Sequence, residues 1–380
     1  MEHPPKTTRS NRLPAIDAFK AIAAQLIVLH HLAAYGPISD AVQKAAPDLI
    51  SWLYDYARMA VQVFLVIGGY LAARTMFTSD RNEGNYTGAI FNRYLRLTLP
   101  FMAAVVLSIV CAMLARQWMA DDFIPDAPTW RQLLAHTLLL QSVLDVDALS
   151  AGAWYIAIDF QLFLLMLGIV WLGNKTASAR SATQALTTLM AAASLFWFNR
   201  DTQMDAWAPY FFGSYGLGAA AYWAGHRGSG SRFWLALIVS LSFIALIIDF
   251  RARIALAVGV ALILYLARDS KHIEQYAARP VPQHLSKISY SLFLVHFPIL
   301  MLANLLFNEL GYTSALAGTV GMLATWGISL YAAGVFYRWI EKPASSFKFD
   351  RFRAFWKTER LVPLRYQLAT TMFWVLAIPV

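Results

Sequence analysis

The sequence holds a single cysteine, Cys111, so no disulfide can close within the chain and no thiolate cluster is available to bind a metal. Cys111 lies inside an apolar run, where a thiol packs and does not react. Charge is scarce too: Asp, Glu, Lys and Arg make up 14% of the 380 residues against 58% hydrophobic. An ordinary soluble domain carries roughly 25% charged residues, so that class is excluded. Acids are scarcer than bases, 22 against 31. The excess of 9 positive charges falls in short loops between apolar runs. There, Lys and Arg report orientation across a bilayer, and no nucleic-acid partner is implied. Period-2 alternation is missing, which excludes a transmembrane barrel, and no internal repeat or low-complexity tract is evident. The first apolar run contains Asp17 and Lys20 and is not followed by a small-residue cleavage site, so no cleavable signal peptide is expected.

What the chain does have is long apolar sequence, with a mean hydropathy of +0.49. A spanning helix needs roughly 20 such residues. Ten stretches qualify: 14–34, 57–77, 97–115, 152–173, 182–198, 207–225, 232–248, 253–268, 285–306 and 313–340. The expected fold is therefore all-α, a polytopic integral membrane helix bundle of about ten transmembrane helices. The stretch 131–146 is too short and polar to span and reads as a re-entrant or interfacial helix. Residues 345–380 form an amphipathic tail whose last piece, 361–380, is interfacial or a marginal extra span, leaving 1–344 as the transmembrane domain.

Orientation follows from the loops. Lys6, Arg9 and Arg12 precede the first span, Arg74, Arg81, Arg93 and Arg96 surround the second connection, and later clusters mark each even-numbered junction. Asp40, Asp48, Asp55, Asp121, Asp122 and Asp126 mark the other side, with Arg200, Arg251 and Arg253 as exceptions. The positive-inside rule puts the N-terminus in the cytoplasm of a multi-pass protein.

Ionisable residues within spans cost about 2.5–3.5 kcal/mol unless they are paired or face a cavity. Asp17 and Lys20 lie three apart on one helix face and can pair. His31 lies eleven residues beyond Lys20 on the same face, about 16 Å away, whereas His30 points about 100° aside. His296 sits among Phe293 and Phe297 and reads as a packed or hydrogen-bonded core histidine. Glu341 is placed to pair with Arg338, three residues earlier.

These residues fall in segments that resemble the membrane-bound acyltransferase 3 family of bacterial cell-surface carbohydrate O-acyltransferases. The pieces are Ile16-Asp17-Ala18-Phe19-Lys20 leading to His31, Val61 to Thr75, Asn92 to Leu97 with Pro100, Trp154 to Asp159, and Ser289 to Pro298 followed by Ile340-Glu341-Lys342-Pro343. Three departures stand out: Gly68 replaces a commoner Ser, Asn92 an Arg, and Asp159 a Glu. The resemblance implies transfer of an acyl group from acyl-CoA, acetyl-CoA first and succinyl-CoA second, to a hydroxyl of a carbohydrate acceptor at a bacterial inner membrane. His31 is then the general base, since an imidazole is matched to neutral pH. Asp159, read as lying at the same depth as His31, is expected to orient that imidazole or to hold the acceptor. Arg93 and Arg96 are expected to bind CoA phosphates on the cytoplasmic face, where guanidinium forks suit phosphate oxygens. Lys20 is expected to hold a phosphate or the thioester carbonyl, and Asp17, Trp154, Tyr290, His296 and Glu341 fill structural or substrate-positioning roles. No metal is expected. A secondary transporter of glycans or lipid-linked sugars is the alternative, because it too needs many spans and buried charges.

Overall fold

The computed structural model describes residues 13–78, 86–225 and 231–347. The segment beyond 347, with its expected extra span, and the basic residues Lys6, Arg9, Arg12 and Arg81 lie outside them. Among the described residues every regular element is helical. In chain order these are α1 (Pro14–Ala34), α2 (Gly36–Gln43), α3 (Pro47–Asp55), α4 (Val61–Thr78), α5 (Tyr86–Ala115), α6 (Trp130–Thr137), α7 (Ala153–Gly173) and α8 (Ala179–Phe196). They continue with α9 (Ala208–Ala224), α10 (Ser231–Ile248), α11 (Ala252–Leu266), α12 (Lys271–Ala277), α13 (Pro280–Glu309) and α14 (Ala315–Phe336), then a π-helical turn (Tyr337–Glu341) and α15 (Lys342–Ala344).

Each of the ten expected spans coincides with a helix, although α5 starts eleven residues earlier than expected. Six helical stretches are long and apolar enough to cross a membrane: Pro14–Ala34, Pro47–Met76, Tyr86–Ala115, Ala153–Gly173, Pro280–Glu309 and Ala315–Ala344. The other four, α8 to α11, are between 15 and 18 residues long.

The centre of the bundle is α9, in which every residue from Tyr210 to Ala224 is buried. Its glycines explain why. A Cβ on Gly218 would stand 1.8 Å from the Val66 carbonyl oxygen of α4, and a Cβ on Gly69 would stand 1.8 Å from the Tyr215 carbonyl oxygen of α9. Two backbones thus touch through reciprocal glycines, the close approach that substitutes for a hydrophobic drive between helices in lipid. The Ser214 hydroxyl completes this seam by donating to Gln62 Oε1 at 2.6 Å.

The segment after α5 does not cross the bundle. The α6 helix has eight residues, capped by Thr129 in a reciprocal bond with Gln132, and irregular turns follow. The Thr137 carbonyl accepts the Tyr94 hydroxyl at 2.7 Å. Tyr94 lies 21 residues before the end of α5, about 31 Å along its axis, so α6 inserts between helices and does not lie across their ends. His136 pins the return path. Its Nδ1 donates to the Gln132 carbonyl at 2.8 Å, and its Nε2 accepts the Leu149 amide at 3.1 Å. Burial lowers the pKa of this ring, which does not belong to a spanning helix, below the usual histidine value.

The exceptions to the charge pattern are consumed by the fold. Arg251 donates to Asn199 Oδ1 at 2.7 Å and to the Leu195 carbonyl at 2.9 Å, closing the C-terminus of α8. Arg253 donates to the Asn199 carbonyl at 3.1 Å and stacks over Tyr210, and Arg200 approaches Asp249. These three arginines bind backbone and loop groups, so they carry little weight as topology markers.

Candidate active site

The N-terminal parts of α1, α5 and α13, the C-terminal part of α4 and the end of α14 converge on a cavity of about 790 Å³, within the roughly 300–1,000 Å³ of ligand pockets. Six cationic side chains line it, Lys20, Arg74, Arg93, Arg96, Lys287 and Lys342, against three carboxylates, Asp17, Asp159 and Glu341. All six cations lie in the parts of their helices nearer the ends that the charge rule assigns to the cytoplasm.

Several expected pairings are replaced by others. Asp17 accepts the Ser286 hydroxyl of α13 at 2.8 Å and does not pair with Lys20. Among the described residues Lys20 makes no hydrogen bond or ion pair, which leaves its ammonium facing the cavity. The π-helical turn at the end of α14 brings Glu341 back into the bundle, where its carboxylate accepts the Ser291 hydroxyl at 2.5 Å in place of a bond to Arg338. A π turn shifts the register of the residues after it, and spacing along an ideal helix could not show this.

The largest correction concerns Arg93 and Asp159. Arg93 Nη2 lies 2.5 Å from Asp159 Oδ2, joining α5 to α7 deep in the cavity. Asp159 therefore does not reach His31, and Arg93 is held inside the bundle instead of standing at its mouth. Its guanidinium also faces the Phe163 ring at 5.6 Å. Depth along separate helices had placed Asp159 beside His31; lateral packing places it beside Arg93. Arg96, one turn further along α5, is exposed and not buried at an apolar boundary.

Sequence reasoning missed the pairing made by His296. His31 Nδ1 lies 3.0 Å from His296 Nε2, bridging α1 and α13, and both rings are buried. The nearby His30 faces the Leu53 carbonyl of α3 at 3.3 Å, consistent with its direction around the helix. Neither His31 nor His296 lines the cavity. Phe293 does, and it sits one turn before His296 with ring centres 6.2 Å apart. Tyr155 packs edge-on against Phe293 at 5.6 Å and Phe64 against Tyr155 at 6.1 Å, so an aromatic partition closes the cavity on the histidine side. Gly152 at the start of α7 makes room for it: its φ is +77°, and a Cβ there would stand 2.6 Å from the Phe293 ring.

On the far side of His31, Tyr35 stacks parallel at 5.9 Å, itself flanked by Phe123 and Phe297. The Asn304 side chain holds this cap by bonding the Ile38 amide and the Tyr35 carbonyl. Tyr290 lines the cavity and donates to the Leu97 carbonyl at 2.8 Å. Trp154 does not line it; the indole stacks on Phe211 at 5.6 Å. Tyr215, next to Gly68, was also absent from the expected site.

The family model described as an acyltransferase domain matches residues 13–334. The chain belongs to the acyltransferase 3 family. Among curated proteins it is similar to the "Regulator of hypoxia-inducible factor 1" of Caenorhabditis elegans, 24% identical over 201 residues. That alignment takes in 49% of this chain and 39% of the nematode protein. No solved structure matches the chain. This acyltransferase 3 chain thus carries the family's acyltransferase domain, with six helical stretches long and apolar enough to cross a membrane among the described residues.

Proposed function

We propose that this acyltransferase moves an acyl group, acetyl first and succinyl as the alternative, from cytoplasmic acyl-CoA to a hydroxyl of an extracytoplasmic or lipid-linked glycan. The setting is a bacterial inner membrane crossed ten times with the N-terminus inside. The observation that carries this reading is the one-sided cavity, cationic at its mouth and ending at an aromatic wall whose other face packs on the histidine pair. Arg96, Lys20, Lys287 and Lys342 supply the charge that recognises the phosphates of CoA. The pantetheine arm follows the cavity, and Phe293 rotates aside to admit the thioester. Arg93, held by Asp159, shapes the deep end.

His31 accepts the proton of the attacking hydroxyl as its oxygen bonds to the acyl carbon. The carbon–sulfur bond breaks, and the resulting thiolate takes the proton back from the imidazolium. Products are the ester and free CoA, with no net proton change. The aromatic cap of Tyr35, Phe123 and Phe297 suits an acceptor sugar, whose apolar faces stack on rings.

The test is acceptor-dependent release of CoA from acetyl-CoA or succinyl-CoA by the protein purified in detergent. Hydrolysis-level release that no glycan stimulates would overturn the transfer reading and leave the transporter as the better account. Orientation is checked with single cysteines at Ser178 and Asp126, both exposed, in a Cys111→Ala background. They are expected to label from opposite sides.

A further inference from the structure

We propose that His296 is a positioning residue that locks His31 in one tautomer, leaving Nε2 of His31 as the basic nitrogen. The inference rests on the acyl-transfer reading for its consequence and on hydrogen-bond logic for its content. His296 Nδ1 lies 3.1 Å from the Leu292 carbonyl, an oxygen that can only accept, so that nitrogen carries a proton. A neutral imidazole has one N–H, so His296 Nε2 is bare and can only accept. The group 3.0 Å away is His31 Nδ1, which must then donate. The Ile27 carbonyl, four residues before His31, also faces that ring as an acceptor. The proton count leaves one lone pair in the His31 ring, on Nε2.

A doubly protonated His296 would reverse the direction of the bond. Such a charge would be buried with no carboxylate within 4.0 Å of either ring among the described residues, a costly arrangement. The neutral assignment also fits the step that follows. When Nε2 of His31 takes a hydroxyl proton, the imidazolium keeps its Nδ1–H bond to His296, which stabilises the new charge without a second transfer. A carboxylate does this work in many histidine bases; here a second imidazole occupies that position, while Asp159 is bound to Arg93.

Two readouts test the assignment. In protein carrying 15N-labelled histidine, the resonances lost in His31→Ala identify His31, and at neutral pH they are expected to show a protonated Nδ1 and a bare Nε2. Protonated Nε2 overturns the proposal whether or not the protein transfers acyl groups. In turnover assays, His296→Leu is expected to lower kcat by about 10- to 100-fold, the cost of losing an orienting partner, with little change in the KM for acyl-CoA. His296→Gln, whose amide oxygen can still accept from Nδ1, is expected to recover most of it. Wild-type kcat in the leucine variant, or a glutamine variant as impaired as the leucine one, counts against a positioning role. A wild-type protein that shows the expected tautomer but transfers no acyl group would sink the function and leave the hydrogen-bond assignment standing.

Discussion

The two ends of α1 do opposite things with ionisable groups. At the first, Asp17 and Lys20 line the cavity with its excess of cations, and their partners are single hydroxyls or none. At the other, about 21 Å from Asp17 by helical rise, His31 is enclosed by rings and bonded to another ring. A bilayer-spanning helix tolerates ionisable groups where water reaches them or where a neutral partner satisfies them. The difference teaches that one helix can gather uncompensated positive charge at one end and enclose an imidazole among rings at the other.

The substitution expected to do most damage removes the frame that both ends share. Gly218→Val would drive a side chain into the α4 backbone, and folded, detergent-stable protein should fall below detection in size-exclusion profiles. Well-folded Gly218→Val protein would show that the α4–α9 contact is not what holds the cavity open.

Next in size is His31→Ala, which should separate the ends: turnover falls by about 10²- to 10⁴-fold while acyl-CoA affinity stays near the wild-type value. His30→Ala, whose ring faces α3, should keep substantial activity. Near-normal turnover in the His31 variant would move the base elsewhere.

Arg96→Ala should act on the cationic end alone, weakening acyl-CoA binding by about 1.5–3 kcal/mol, the scale of a charge-assisted hydrogen bond. Arg96→Lys should recover part of this, because the charge survives and the fork does not. Affinity measured at low and high salt should differ less in the alanine variant, since the screened contact is gone. Unchanged affinity at both salt concentrations would remove Arg96 from the donor site.

The smallest effect is a pH dependence outside both ends. Burial lowers the pKa of His136 in the folded protein, so above the ordinary histidine value of 6.5 the ring is neutral folded or unfolded and its bond to Leu149 is intact. As pH falls below 6.5 the unfolded chain binds a proton that the folded one resists, and stability is lost down to the folded pKa. Thermal unfolding in detergent should show a larger drop between pH 7.5 and pH 5 for wild type than for His136→Asn. Parallel curves would mean that His136 does not titrate in this range.

How much of this was legible in the sequence varies by residue. The helix containing Asp17, Lys20 and His31 could be read from one periodicity, but not that Asp17 takes Ser286 in place of Lys20 or that His31 takes His296. The non-spanning character of 131–146 was legible from its polarity, but its insertion beside Tyr94 was not. Asp159 was assigned the depth of His31 and so the wrong partner, since position along a helix says nothing about which neighbouring helix a side chain meets. Glu341 was misplaced for a different reason: a π turn breaks the spacing on which the expected pairing with Arg338 relied.

The sequence by itself determined the all-helical membrane class, the positions of the helices and the family, because hydropathy along a chain and residue order within motifs are local properties. Only the tertiary structure decided that Arg93 takes Asp159, that Glu341 takes Ser291 and that His31 takes His296. Each of these contacts joins residues at least 50 positions apart on different helical elements. Lateral neighbours in a bundle are chosen by backbone approach at small residues such as Gly69 and Gly218, and a side chain's partner follows from that choice.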